Sequence, residues 1–266
     1  MCKPASGVFT KGHKAYWSKY SDSHEIIIKA HGLCADGVRG SNIVRFGITP
    51  PNGDMTQPLG KWEYRLDDGM DTCLPEWYDA KEAEASARKM LKDWAAQKIA
   101  SDDRELRDGE FWVIGRSKVT AYGSSKVTAY DSSKVTAYGS STVTACDSST
   151  VTACDRSKVT AYDGSKVTAC DRSTVKACDS STVTACDSST VTACDSSTVT
   201  AYDSSKVTAC DRSKVTACDS SKVTACEDNS TLITYIKIEK SVIHSANAVI
   251  VDRSVTPPKC YVGKQA

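Results

Sequence analysis

The residues that could do chemistry in this chain are set apart by their spacing. Nine of the 13 cysteines fall at multiples of eight residues between 146 and 226. Stacked on strands, such thiols would have Cα atoms about 4.8 Å apart, which is within disulfide reach. They lack the clustered spacing of a tetrahedral zinc site. Aspartates keep the same period from Asp131 to Asp219. That column invites a calcium reading, but no Gly-Gly-x-Gly-x-Asp nonapeptide supplies carbonyl ligands, so these residues read as turn formers. Threonines flank valine as Thr-Val-Thr starting at Thr142, Thr150, Thr182, Thr190 and Thr198; Thr174 leads one further octad, and lysine leads the rest, as at Lys118, Lys126 and Lys134.

Outside that series the reactive side chains are sparse. His24, Glu25, His31, Cys34 and Cys73 form one cluster in sequence. Two His and two scattered Cys could hold zinc, but no Cys-x-x-Cys or His-x-x-x-His pair is present, and ordinary surface histidines and buried thiols account for them better. There is no nucleophile elbow, P-loop, zinc-protease helix or dinucleotide fingerprint. No catalytic residue and no cofactor is assigned, and the chain reads as non-enzymatic.

What must position these residues is a repeat. Val119 begins a series that recurs every eight residues to Val223, giving fourteen octads over 115–226 without an insertion. The consensus is Asp-Ser-Ser-(Lys/Thr)-Val-Thr-Ala-(Cys/Tyr), and Lys176 replaces the Thr between Val and Ala once. A β-branched residue at fixed period between Asp/Gly-Ser turns predicts stacked short strands, whereas a helix would want a period near 3.6. Disorder would not need an unbroken Val-x-Ala phase. Strand alternation sends Val and Ala inward and Lys, Thr and Cys/Tyr outward. The free exchange of Cys for Tyr suits an outside column, because a close-packed core would not tolerate it. Two octads per coil make a 16-residue turn, so fourteen make seven coils over roughly 34 Å.

The flanks read as caps. Glu110 to Ile114 is a bulkier strand before the first octad, and after Cys226 the phase slips by one, with Leu232 in the place of Val. Tyr235 to Ile238 and Ala248 to Val251 read as further strands, ended by Pro257-Pro258. Residues 1–109 form a different unit, a small α+β domain with a polar linker from Ser101 to Gly109. Ser23 to Ala30 reads as a helix with Ser23 as N-cap and Gly32 as stop. Asn42 to Thr49 and Lys61 to Leu66 read as strands. Asp79 to Ala100 reads as a long helix, its apolar face carrying Ala83, Ala87, Met90, Leu91, Trp94 and Ile99. The domains are therefore 1–109, 110–226 with its capping strand, and 227–266 as C-terminal capping strands.

Composition bounds the partners. Lys plus Arg is 34 and Asp plus Glu is 33, a net charge of +1, which makes no strong case for nucleic acid. No apolar run approaches a membrane span and no hydrophobic leader follows Met1, so no membrane insertion and a cytoplasmic, reducing setting are expected.

Two resemblances attach to these motifs. Tyr138-Gly139-Ser140-Ser141-Thr142-Val143-Thr144-Ala145 resembles the tandem repeats of bacterial ice-nucleation proteins. The likeness spans residues 115–226 and implies a β-solenoid, with ice binding only where Thr rows persist. In a two-octad coil, Lys interrupts both rows. The segments Ser21-Asp22-Ser23-His24-Glu25-Ile26-Ile27, Val44-Arg45-Phe46, Lys61-Trp62-Glu63-Tyr64 and Leu74-Pro75-Glu76-Trp77-Tyr78 look like those of uncharacterised bacterial and phage proteins that join such a domain to Ser-x-Val-x-Ala octads. That likeness implies a prokaryotic or phage source and a cytosolic setting, and it transfers no activity.

The expectation is thus an α+β domain followed by an all-β solenoid that presents a regular Lys/Thr/Tyr/Asp surface to a protein or glycan, or serves as a spacer. Its expected binding residues are Lys118, Lys126, Lys134, Thr142, Thr144, Thr150, Thr152, Thr182, Thr184, Thr190, Thr192, Thr198 and Thr200. Ordered-water binding by the Thr-Val-Thr rows and metal or redox chemistry at the Cys columns are the alternatives.

Overall fold

The computed structural model describes residues 4–33, 42–67, 74–225, 232–235, 249–252 and 256–262. The chain forms two compact units, Met1–Ile99 and Ala100–Ala266.

In the first unit, strands β1 (Ser6–Thr10), β2 (Lys14–Tyr16), β3 (Val44–Thr49) and β4 (Glu63–Leu66) make an antiparallel sheet in the order β2-β1-β3-β4. Helix α1 spans His24–Ala30 and helix α2 spans Ala80–Lys98. The α2 start follows from its cap: the Asp79 carboxylate accepts the Lys81 and Glu82 amides, both at 2.9 Å. Its apolar stripe, Ala83, Ala87, Met90, Leu91 and Trp94, is buried, and Trp94 meets Trp62 edge-on at 5.9 Å between ring centroids. Gly7 lets Phe46 and Met90 close over β1, since a Cβ there would lie 2.5 Å from Phe46 Cζ and 2.9 Å from Met90 Sδ. Ser23 takes the expected N-cap position of α1, without a side-chain cap bond. One expected detail differs. Ile99 leaves α2 in an extended conformation (φ −103°, ψ 116°) and begins strand β5 (Ile99–Ala100).

The second unit is a parallel β-solenoid with two octads per coil. Its fourteen octad strands run in chain order from β8 (Lys118–Tyr122) to β21 (Lys222–Ala225). Each pairs in parallel with the strand sixteen residues away: Val135 opposes Val119 and Val151, and Val143 opposes Val127 and Val159. Even-numbered strands build one sheet and odd-numbered strands the other. Val and Ala point inward from both, with Val143, Val151, Val183, Val191 and Val199 and every octad Ala from Ala121 to Ala209 fully shielded. A third inward column consists of the second Ser of each octad, and Ser125 through Ser213 are all at 0% exposure. The sequence pattern had not assigned that column a face. Many of these hydroxyls satisfy themselves locally, as where Ser149 Oγ donates to the Cys146 carbonyl at 2.6 Å.

The corners alternate between two turn forms. After the odd strands both central residues have positive φ, as at Asp131 (52°) and Ser132 (63°), the signature of a type I′ turn. Asp163-Gly164 (50°, 70°) is a favoured sequence for that turn. After the even strands only the first central residue is positive, as at Asp155 (57°), where the type II′ form favours Gly. Gly123 and Gly139 stand in this column. Where Asp155, Asp171, Asp187 and Asp203 replace Gly here, the carboxylate bonds to the coil before it. Asp155 Oδ2 accepts the Gly139 amide at 3.0 Å, and Asp171, Asp187 and Asp203 repeat the contact at 3.3 Å.

The segment expected to be a linker belongs to the solenoid. Strand β6 (Arg104–Arg107) pairs with β8, and β7 (Glu110–Val113) pairs with β9 (Lys126–Ala129). Asp103 accepts the Lys118 amide at 2.7 Å and Asp108 accepts the Ser124 amide at 3.0 Å, so these carboxylates serve donors of the first coil. Arg107 lies over the Tyr122 ring at 4.4 Å, and Tyr122 stacks on Tyr138 at 5.5 Å.

At the far end β22 (Leu232–Tyr235) pairs with β20 (Lys214–Ala217), and Ile233, not Leu232, opposes Val215. Leu232 opposes Lys214, so the phase slips by two residues where one was expected. β23 (Val249–Asp252) joins in parallel, and β24 (Lys259–Val262) returns antiparallel after the two prolines expected to end pairing. The expected strand portion 236–238 lies outside the described residues.

Candidate binding surface

The outward columns of the two sheets are the most regular surface of the described chain. Parallel pairing without offset stacks each Lys/Thr position on its equivalent, one coil per strand spacing of about 4.8 Å. One face carries Lys118, Lys134, Thr150, Lys166, Thr182, Thr198 and Lys214 in a single column. The other carries Lys126, Thr142, Lys158, Thr174, Thr190, Lys206 and Lys222. These columns are exposed except for half-buried Thr150, and the second Thr of each strand is mostly half-buried beside them.

The expected binding residues therefore divide between two faces. Lys118, Lys134, Thr150, Thr152, Thr182, Thr184, Thr198 and Thr200 share the even-strand sheet, while Lys126, Thr142, Thr144, Thr190 and Thr192 share the odd-strand sheet. Continuous Thr pairs occur only in short runs, as at Thr182/Thr184 and Thr198/Thr200. Lys166 and Lys214 bound that run.

Charge is sorted by position. Within residues 118–225 no strand contains an acidic side chain, and every carboxylate is a corner aspartate. The near-zero net charge thus hides cationic faces between anionic edges. Sequence counting missed this because it sums over both.

The Cys/Tyr columns lie on the outside of each coil, next to the corners. Tyr138 and Tyr202 are exposed, most of the cysteines are half-buried, and Cys178 is buried. Burial, with added repulsion from the neighbouring corner carboxylates, pushes the thiols of Cys146, Cys154, Cys170, Cys186 and Cys218 above the ordinary range. Burial does the same to Cys178 and Cys194, opposed in part by Lys176. These thiols are held protonated, unlike activated nucleophiles. Cys210 is disulfide-bonded.

The two histidines of the cluster seen in the sequence have partners of their own. His24 is buried, with Nε2 on the Phe46 carbonyl and Nδ1 on Asp67, each at 3.0 Å. His31 Nε2 meets the Trp17 carbonyl at 2.8 Å. Glu25 pairs with Arg45 at 3.4 Å. Each ring is thus occupied by its own partners. Cys34 and Cys73 lie outside the described residues. Among the described residues no group of three or more His, Cys, Asp or Glu is placed to hold a metal ion. A shallow cleft between β2 and α2, lined by Lys14, Trp17, Lys89 and Asp93 among others, has a volume of about 210 Å³. That is below the usual range for small-molecule sites. No helix among the described residues is long and apolar enough to cross a membrane.

No protein-family profile matches the chain, and neither a curated protein nor a solved structure matches it.

Proposed function

We propose that this is a non-enzymatic interaction protein whose solenoid presents two flat Lys/Thr faces to an extended protein or glycan partner, or spaces other components apart. The observation that carries the reading is the sorting of charge: exposed lysines on the sheets, carboxylates confined to the corners. A partner lying across the strands would meet ammonium groups and hydroxyls at a fixed repeat, without a carboxylate on the face to repel an anion. A rigid array loses little conformational entropy on binding, which favours a surface of this kind over a flexible tail with the same residues.

Ordered-water binding has narrower support. It rests on the runs of paired Thr, which Lys interrupts within a few coils. The resemblance to ice-nucleation repeats extends to the period and the Tyr-Gly-Ser and Thr-x-Thr elements, while the unbroken Thr row is missing.

The reading is tested by capture from bacterial lysate and from a panel of acidic and neutral glycans. The wild-type full chain is compared with Lys118→Thr/Lys134→Thr/Lys166→Thr and with Lys126→Thr/Lys158→Thr/Lys206→Thr. A partner lost with one triple variant and retained with the other assigns the face. Capture unchanged by both triple variants would overturn the reading.

A further inference from the structure

We propose that Cys170–Cys186 and Cys178–Cys194 are inter-coil disulfide sites, closed by a low-molecular-weight disulfide such as glutathione disulfide, that clamp the central coils together. The placement comes from the register. Ala169 opposes Ala185, and Ala177 opposes Ala193, so the cysteines that follow leave equivalent points of consecutive coils. Their backbones are about 4.8 Å apart, inside the Cα range that a disulfide spans. The thiols of Cys170 and Cys186, and those of Cys178 and Cys194, lie near enough to influence each other's titration. Cys210 continues the second of these columns and is disulfide-bonded, so a cysteine at this column position accommodates a disulfide.

The same columns contain controls. Cys146 stacks between Tyr130 and Tyr162, and Cys218 has Tyr202 as the neighbour on the preceding coil, so neither meets a thiol there. Cys154 adjoins Cys170 on one side, and Cys186 adjoins it on the other.

Each closure balances as two exchanges. The half-exposed Cys194, as thiolate, attacks one sulfur of glutathione disulfide and releases one glutathione, leaving a mixed disulfide. Buried Cys178 then loses its proton to solvent and attacks Cys194 Sγ, displacing the second glutathione. Two protein thiols are oxidised and one glutathione disulfide is reduced to two glutathiones. Cys170 and Cys186, both half-exposed, follow the same course. The products close loops of sixteen residues and tie each coil to the next.

The test uses the full chain, fully reduced, then exposed to glutathione disulfide at mildly alkaline pH. Remaining thiols are blocked, and the chain is denatured and digested without reduction. Trypsin places Cys170 on peptide 167–172, Cys186 on 177–206 and Cys154 on 135–156. Cleavage before aspartate isolates Cys178 on 171–178. The expected result is 167–172 joined to 177–206, and 171–178 joined to an Asp-Ser-Ser-Thr-Val-Thr-Ala-Cys octapeptide. Cys194→Ser removes the second link, Cys146→Ser leaves both, and the oxidised wild type unfolds at higher urea than the reduced form. Glutathione adducts without internal links, joining of 167–172 to 135–156, or persistence of the second link in Cys194→Ser would overturn the proposal.

Discussion

Replacing Asp187 separates two effects that the even-strand corner combines. Asp187 sits at φ 56° and its Oδ2 accepts the Asp171 amide of the preceding coil at 3.3 Å. A Cβ in left-handed backbone costs about 1–2 kcal/mol, which Asp partly relieves through local polar contacts. The exposed inter-coil bond contributes about 0.5–1 kcal/mol. Asp187→Ala keeps the Cβ and loses the bond, so it should destabilise the solenoid by about 1–2 kcal/mol. Asp187→Gly loses the same bond but is relieved of backbone strain, offset by greater freedom in the unfolded chain, and should fall within about 0.5 kcal/mol of wild type. The natural Gly123 and Gly139 occupy the same column. Equilibrium urea unfolding with unchanged slope measures the series. If Gly costs as much as Ala, positive φ is not what selects Asp and Gly at this corner.

Other outcomes follow from the core and the columns. Val199→Ala removes two shielded carbon groups from a 0% exposed site and should cost about 2 kcal/mol, while Thr200→Ala on the outer face should stay within about 0.5 kcal/mol, both read by urea unfolding. Gly7→Ala drives a Cβ into Phe46 and Met90 and should lower the stability of the first unit by about 1–3 kcal/mol, read from the thermal transition of its tryptophan fluorescence. Alkylation of Cys146 and Cys154 by iodoacetamide should be slow at neutral pH and accelerate beyond the range of a free thiol, because the fold raises both. By linkage the unfolded chain ionises first, so reduced protein should lose stability as pH rises above the ordinary thiol value. A pH-independent urea midpoint across that range would contradict the assignment.

Much of the solenoid was legible because one octad carries its own instructions. Val and Ala at alternate positions fix the inner face, and Asp, Gly and Ser fix the corners. The sixteen-residue register then follows from two corners per coil. The inward Ser column was less legible because Ser is polar and adjoins a turn, so pattern alone places it in either environment. Pairing of Arg104–Arg107 was hidden by its charges: on this strand only Leu106 is buried, and the flanking Glu105 and Arg107 face solvent. Likewise β1 and β2 are short, and Gly7 and Lys14 weaken their strand signal, so their pairing depends on β3 and the helices covering the sheet. For the site, the period showed which residues stack. Two octads per coil already divided them into two rows with aspartates at the corners, and the structure adds how far each column is exposed.

Both the Lys/Thr faces and the cysteine pairs depend on two octads forming one coil. The direct measurement places spin labels on Thr144→Cys/Thr208→Cys in a background whose native cysteines are replaced by serine, and reads their separation by pulsed dipolar spectroscopy. These positions share the odd-strand sheet four coils apart. The account predicts a narrow distribution centred at about 19 Å plus the reach of the labels. A broad distribution, or a separation that places the two labels on different faces, would contradict it.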